Sequence, residues 1–192
     1  MKSMKVLLCS AMLAALPLAA QADNHGGLSY SYVEVGYNEL DLDNVASGDG
    51  VGLRGSIGVA ENFFGFAEYG MFGFPGNVDL DAYQIGLGGR YGISDKADLV
   101  GRVGYAKLDL SAGSSSVDED GYLVSAGLRG EVADGFELEG SVIYRDFGGQ
   151  NGDDTAFAVG ARYHFTDSVA VTADFESGDD SDIIFAGVRF TF

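Results

Sequence analysis

Hydrophobic and polar residues alternate with a period of two along most of the chain beyond residue 28. This is the spacing of a β-strand whose two faces meet different surroundings, and no stretch shows the 3.6-residue period of an amphipathic helix. Strands of roughly 9–11 residues cross a bilayer when tilted. The pattern predicts ten such strands. The first and third are the least regular, so eight strands are the alternative. The ten predicted strands lie at about 28–39, 51–60, 63–71, 82–93, 98–108, 121–132, 136–146, 155–165, 169–176 and 183–192.

The polar face of these strands indicates what surrounds the sheet. Along residues 84–93 it reads Gln, Gly, Gly, Arg and Gly, opposite Ile, Leu, Gly, Tyr and Ile. A soluble barrel would carry Lys, Glu and Thr outside, whereas small residues and isolated charges suit a narrow lumen. The apolar face is therefore expected to face lipid. The pattern predicts an all-β fold, a transmembrane antiparallel up-and-down β-barrel with both termini periplasmic.

The predicted connections alternate in length. Short turns fall near 61–62, 94–96, 133–135 and 166–168, and longer loops near 40–50, 72–81, 109–120, 146–154 and 177–182. With their flanking residues the longer loops hold seventeen acids and no Lys or Arg. Such loops are either simply solvated or bridge divalent cations to lipopolysaccharide phosphates. We therefore expect a role in envelope integrity or surface interaction, with lipopolysaccharide, outer-membrane lipid and divalent cations as partners.

Arginine is confined to the predicted strands, on the register that faces inward. One hypothesis is the charged constriction of a narrow, porin-like channel for small solutes. The favoured one is an ion-pair network that packs the lumen, because the planar guanidinium can bridge two carboxylates. The predicted lumenal network comprises Arg54, Arg90, Arg102, Arg129, Arg145, Arg162 and Arg189 with Glu34, Glu68, Glu139 and Asp174.

The first residues predict export. A basic start at residues 1–5, an apolar stretch to Ala20 and an Ala-Gln-Ala site ending at Ala22 are typical of a signal peptide. Residues 1–22 are thus predicted to be cleaved, leaving a barrel of residues 23–192 in the bacterial outer membrane. Cys9 lies in the signal, which excludes disulfides and thiol catalysis. Nine basic against 29 acidic residues then remain, a formal charge of −20 that argues against nucleic-acid binding.

Enzymatic activity is the alternative class. Outer-membrane proteases and acylases generally need a His or Ser beside carboxylates at the outer rim. The chain has two histidines. His25 precedes the first strand, and His164 lies inward near a short turn, at the wrong end. We therefore predict a non-enzymatic, monomeric protein with no catalytic, metal or cofactor-binding residues.

The last nine residues form a strand that ends on an aromatic side chain. Ile184, Val188, Phe190 and Phe192 share one face of it. A terminal Phe preceded by Phe190 and Gly187 at these spacings resembles the signal that the barrel-assembly machinery reads. The same strand must pair with the first one to close the barrel.

Four segments carry a resemblance to a known family: residues 28–37, 55–63, 120–130 and 187–192. Together they resemble the xanthomonad outer-membrane family named for a supposed activator of a rice immune receptor, and more broadly the small OmpA/OmpX-like barrels. That resemblance implies a barrel, or else a secreted quorum-sensing and immune-elicitor precursor with a sulfated tyrosine, here Tyr30. The barrel is favoured, because the Tyr30 segment belongs to the strand that must close the barrel.

Deletion of Phe192, or Phe192→Asp, should block assembly into the outer membrane while export across the inner membrane continues. The physical reason is that the signal peptide is untouched while the terminal strand loses its last side chain. The amount of heat-modifiable barrel in outer-membrane fractions measures this. Equal amounts from mutant and parent would contradict the prediction.

Overall fold

Ten antiparallel strands close into a barrel in the computed structural model, which describes residues 28–42, 45–148 and 152–192. Each strand pairs with its neighbours in sequence, and the first pairs with the last. The ten-strand up-and-down barrel is thereby confirmed, and the eight-strand alternative is wrong. In the described residues no helix is long and apolar enough to cross a membrane. The strands are β1 (Tyr32–Leu42), β2 (Ala46–Ala60), β3 (Phe63–Phe74), β4 (Val78–Ser94), β5 (Ala97–Ala112), β6 (Ser115–Ala133), β7 (Phe136–Asp146), β8 (Asp153–Thr166), β9 (Val169–Ser177) and β10 (Ser181–Thr191).

The outer wall carries the apolar face of the strands. Ile85, Leu87 and Tyr91 of β4 are 60%, 64% and 71% exposed, while Gly88 and Arg90 between them are buried. Exposed large apolar side chains recur in this way on every strand. A protein surrounded by water does not carry such a continuous apolar band, whereas a barrel in lipid requires it.

Two-residue turns join the strands at one end of the barrel, called here the terminal end because β1 starts and β10 finishes there. The turns lie at residues 61–62, 95–96, 134–135 and 167–168. At each of them the pairing register shifts by one residue in the preceding strand. These positions agree with the predicted short turns. The opposite end is called the far end.

The strands extend further at the far end than the sequence predicts. Residues 40–50, 72–81, 109–120 and 177–182, predicted as long loops, belong mostly to strands. The prediction ends each strand where outward-facing apolar residues stop, and this is wrong. Beyond the lipid layer the outer wall meets water, so the same ladder continues with polar residues facing outward. The longest remaining connection lies between Asp146 and Asp153.

The first strand also starts later than predicted. β1 begins at Tyr32, and its ladders with β2 and β10 begin at the same residue. Residues 28–31, predicted to open the strand, instead turn into the lumen, where Leu28 is 1% and Tyr30 5% exposed. We call residues 28–31 the N-terminal segment.

Glycines on the inner wall accommodate large aromatic rings. Phe64 and Phe66 of β3 are the cross-strand partners of Gly88 and Gly86 of β4. A Cβ atom at Gly88 would overlap the Phe64 ring, and one at Gly86 would lie 2.8 Å from Cε1 of Phe66. Both rings are buried and have little room to move. The small residues of the inner face therefore fit neighbouring aromatics instead of leaving an empty lumen.

Gly88→Ala should destabilise the barrel by about 1–3 kcal/mol, the usual cost of overpacking a well-filled core. Gly101→Ala is the matched control, because the nearest atom to its new Cβ is 3.8 Å away. Urea unfolding of the refolded barrel in detergent or bilayers measures both. Equal midpoints for the two variants would contradict the interlocked packing.

Candidate functional site

Ion pairs fill the middle of the lumen around Arg162. Its guanidinium nitrogens lie 3.1 Å from Glu139, 3.1 Å from Asp174 and 3.9 Å from Glu34. Each of these three carboxylates has a second arginine on its other side. The pairs are Arg102 with Glu139 at 2.8 Å, Arg54 with Asp174 at 2.8 Å, and Arg189 with Glu34 at 2.7 Å.

Two of these arginines also stack on aromatic rings. The guanidinium carbon of Arg189 lies 3.6 Å from the centre of the Tyr32 ring, and that of Arg54 lies 3.9 Å from the Phe185 ring. Arginine can stack on a ring and donate to carboxylates in the plane of its fork at the same time. Charged and apolar side chains therefore pack together in this layer.

The far end of the lumen holds a smaller group around Arg145. This guanidinium lies 2.7 Å from Glu176 and 3.2 Å from Asp154. Both acids were counted among the seventeen of the predicted loops and their flanks. For Asp154 the loop prediction is wrong, whereas Glu176 was also predicted to face inward. Strand alternation turns both side chains inward, where Arg145 pairs with both of them. Asp118 also has a partner, because Lys107 Nζ lies 3.4 Å from it.

The terminal end of the lumen is closed by further ion pairs and by the N-terminal segment. Arg129 lies 2.7 Å from Glu137, whose other oxygen is 2.8 Å from His164 Nε2. Arg129 also donates to the Ser29 carbonyl oxygen at 2.9 Å. The Tyr30 hydroxyl, the predicted modification site, donates to Asp98. A group added to that oxygen would meet a buried carboxylate, so the folded barrel does not present Tyr30.

A cavity of about 160 Å³ occupies the lumen between the Arg162 layer and the far end. Tyr32, Asn38, Glu68, Arg102 and Arg145 are among the residues that line it, and the N-terminal segment is not. Glu68 approaches an arginine as well, 3.8 Å from Arg54. In the described part of the chain, no group of three or more His, Cys, Asp or Glu side chains is arranged to hold a metal ion.

The outer wall at the far end carries a ring of acids, which we call the outer collar. They share the outward register of the lipid-facing residues but lie beyond the aromatic girdle that includes Tyr37, Tyr105 and Tyr122. Every strand except β3 and β9 contributes. The collar consists of Glu39, Asp41, Asp49, Asp79, Asp81, Asp109, Asp118, Asp120, Asp146, Asp153 and Asp182.

Several collar acids face one another directly. Like charges at directly opposite positions destabilise a sheet. Lys107 is the only outward-facing basic residue at the far end of the described strands, so most pairs need a counter-charge from outside. The opposed pairs are Asp41 with Asp182, Glu39 with Asp49, Asp109 with Asp118, and Asp146 with Asp153.

The girdle and the collar are joined by hydrogen bonds. The Tyr69 hydroxyl donates to Asp81 at 3.0 Å, and the Tyr122 hydroxyl donates to Asp146 at 3.1 Å. The tyrosine ring thus lies at the lipid boundary while its hydroxyl holds a carboxylate just outside it. The collar therefore begins directly at the level expected for lipid headgroups.

Sequence reasoning missed three parts of these sites. It did not assign Asp98 or Asp154 to the lumen, although both continue the inward alternation of their strands. It also did not assign Phe64 and Phe185 to the lumen, where they are 2% and 0% exposed. The alternation of these two residues with outward-facing neighbours is the sequence signal that could have identified them as lumenal.

The predicted assembly signal lies in the closing strand. Phe190 faces outward and is 49% exposed, and Gly187 is the cross-strand partner of Gly36. The backbone N–H of Phe192 donates to the Ser31 carbonyl oxygen at 3.1 Å. The end of the chain is thereby bonded to the start of the described fold.

Comparison with known proteins gives a family and a fold. The model of the outer membrane protein β-barrel domain matches residues 6–165. No curated protein matches the chain. The solved NanC porin aligns with a TM-score of 0.54 at 10% identity, covering 83% of this chain and 100% of that chain.

Two surface proteins align at lower scores. Neisserial surface protein A has a TM-score of 0.46 at 14% identity, covering 85% of this chain and 98% of that chain. Ail, the attachment invasion locus protein of Yersinia pestis, has a TM-score of 0.41 at 16% identity, covering 83% and 97%. At such identities the likeness concerns the fold alone.

Arg189→Met should cost about 3–5 kcal/mol of unfolding free energy, because it removes the closest partner of a buried carboxylate. Glu34 is 1% exposed, and its next guanidinium nitrogen, on Arg162, is 3.9 Å away. Adding Glu34→Gln should recover a large part of that loss, since no buried charge is then left uncompensated. Urea unfolding of the two single variants and the double variant measures the coupling. Strictly additive losses would contradict the pairing.

Proposed function

Because the chain belongs to the outer membrane protein β-barrel domain family, we propose that it is a closed, non-enzymatic, monomeric barrel that acts at the cell surface. Its outer collar binds Mg²⁺ or Ca²⁺ and shares these ions with the phosphates of neighbouring lipopolysaccharide. In this role the protein contributes to envelope integrity. Export by a cleaved signal peptide and insertion by the barrel-assembly machinery through Gly187, Phe190 and Phe192 are part of the proposal.

The opposed carboxylates of the collar are the observation that carries this proposal. Asp41 and Asp182, or Glu39 and Asp49, are held on adjacent strands by the ladder itself and cannot move apart. Hard divalent cations prefer carboxylate oxygens, and their charge removes the repulsion between the two acids. Lipopolysaccharide phosphates at the same level supply further oxygen ligands.

The occupied lumen supports a surface role over a transport role. The N-terminal segment fills the terminal end, and the Arg162 layer fills the middle. The arginines of the layer are paired with carboxylates, and Glu34, Arg162, Arg189 and the N-terminal segment are buried. A solute would have to break several ion pairs to pass between the ends of the barrel.

A narrow channel for small solutes is the second candidate function. The cavity of about 160 Å³ favours it, because the far half of the lumen is open space lined by both arginines and carboxylates. In such a channel Arg145 and Glu176 would form the constriction. Arg145→Ala would then change ion selectivity, which reversal potentials across a bilayer measure.

The xanthomonad family assignment stays a prediction, and so does the role as a secreted signal precursor. The precursor hypothesis requires that the segment around Tyr30 leave the barrel. In the folded protein that segment is buried, and it precedes the strand that closes the barrel. We therefore retain the precursor only as the last alternative.

Neutralising part of the collar at Glu39→Gln, Asp41→Asn, Asp49→Asn and Asp182→Asn should weaken the Mg²⁺ dependence of stability in bilayers that contain lipopolysaccharide. At low Mg²⁺ this variant should be more stable than the parent, by roughly 0.2–1 kcal/mol for each opposed pair relieved. At millimolar Mg²⁺ the difference should shrink or reverse. The temperature at which heat-modifiable barrel is lost, measured across a Mg²⁺ series, reports both effects.

The matched control removes four exposed acids from the turns of the terminal end: Glu61→Gln, Asp95→Asn, Asp134→Asn and Asp167→Asn. It changes the net charge by the same amount, but its Mg²⁺ dependence should equal that of the parent. Cells carrying the collar variant should also lose the parent's resistance to detergent at limiting Mg²⁺. If the collar and control variants respond alike in both assays, the proposed surface role is wrong.

A further inference from the structure

The N-terminal segment places a phenol ring in a site built for one at the terminal end of the lumen. Tyr30 is 5% exposed, and its hydroxyl donates at 2.9 Å to Asp98, which is itself 2% exposed. The Arg90 guanidinium lies 3.7 Å from the same carboxylate. The phenolic oxygen thus meets a buried hydrogen-bond acceptor, Asp98, whose negative charge is balanced by Arg90.

The ring of Tyr30 is enclosed as well as its hydroxyl. The guanidinium carbons of Arg129 and Arg90 lie 4.8 Å and 5.2 Å from the ring centre. The Phe64 ring lies at a centroid distance of 4.9 Å, tilted by 32°. Two cations and an aromatic ring are the surroundings that bind an electron-rich ring most strongly. A buried aliphatic side chain would gain little from them.

The backbone beside Tyr30 is held by side chains from strands that are not neighbours in the barrel. Ser56 of β2 donates to the Tyr30 carbonyl oxygen at 2.7 Å, and Arg129 of β6 donates to the Ser29 carbonyl oxygen at 2.9 Å. The strand ladders begin only at Tyr32. The segment is therefore held largely by side chains, and its departure would break the backbone bond from Phe192 to Ser31 but leave the ladders from Tyr32 onward in place.

We propose that this part of the lumen is a phenol-binding site, and that the N-terminal segment is a latch which closes the terminal mouth of the lumen by placing Tyr30 in it. The ligand class of the site is a free phenol or a tyrosyl side chain. The latch is independent of the outer collar, which lies at the other end of the barrel.

Tyr30 is either a latch or an ordinary core tyrosine, and the two interpretations differ in which small molecule can replace its ring. If Tyr30 only fills space, any apolar molecule of its size restores the closed lumen. If Asp98 and the two arginines form a recognition site, the restoring molecule must carry a hydroxyl. Loss of a hydrogen bond to a charged group costs roughly tenfold or more in an equilibrium constant.

The test uses the full chain with Tyr30→Ala and a thiol reporter, Val100→Cys. Val100 is 4% exposed and belongs to the same buried cluster as Leu28 and Tyr30. The sequence has one cysteine, Cys9, in the predicted signal peptide, so the mature reporter carries a single thiol. Its labelling by a charged thiol reagent, in the barrel refolded in bilayers, measures access to the terminal mouth.

Tyr30→Ala should raise the labelling rate of Val100→Cys by at least about tenfold. Added p-cresol should return it towards the parent rate, whereas toluene, the analogue without the hydroxyl, should not. Asp98→Asn in the same background should remove the difference between the two compounds. A thiol at the exposed end of β4, Ser94→Cys, should label at one rate throughout.

Equal protection by p-cresol and toluene, or an unchanged labelling rate in Tyr30→Ala, would overturn the proposal. If Tyr30→Ala gives no heat-modifiable barrel, Tyr30→Phe takes its place. This variant keeps the ring and loses only the bond to Asp98, so about tenfold faster labelling is expected. Labelling at the parent rate in Tyr30→Phe would refute a hydroxyl-dependent latch.

Discussion

Closure of the seam between β1 and β10 is the constraint on which the rest of the structure depends. In lipid every backbone N–H and C=O must find a protein partner, so an open edge is not tolerated. The ladder from Tyr32 opposite Thr191 to Leu42 opposite Ser181 meets this demand. On the inner side of the seam, Glu34 has Arg189 and Arg54 as cross-strand partners on its two sides. The barrel is thus closed by backbone hydrogen bonds in its wall and by ion pairs in its lumen.

Closure also inverts the usual distribution of side chains. The lipid-facing wall is apolar, so the packed interior has to be made from the inward register, which carries every arginine of the chain. These charges are stable inside because each guanidinium has a carboxylate partner and several stack on rings. Beyond the lipid layer the outer wall meets water and does not need to be apolar. There the outward register carries opposed carboxylates, and the proposed function assigns the relief of their repulsion to divalent cations.

Much of this could be predicted from the sequence, because a strand that separates lipid from lumen imposes a period of two. The ten strands, the four short turns and the apolar outer face follow from it. The far ends of the strands could not be predicted from outward-facing apolar residues, since the outward register of β4 continues there with Asp79 and Asp81. Tyr30 was predicted to lie in the first strand. The inward register of a strand and a segment folded into the lumen give the same sequence pattern, so the sequence does not distinguish them. The pairing of Arg145 with Asp154 and Glu176 depends on the register between β7, β8 and β9, which a single sequence does not specify.

Planar-bilayer conductance of the refolded protein, with lipopolysaccharide on one side and millimolar Mg²⁺, tests the central claim most directly. That claim is a closed barrel whose activity lies on its outer surface. The account predicts no ion current across the bilayer, even when heat-modifiable protein is present in it at high density. Reproducible, ion-selective current steps from the native protein would contradict the account and establish the lumen as a channel.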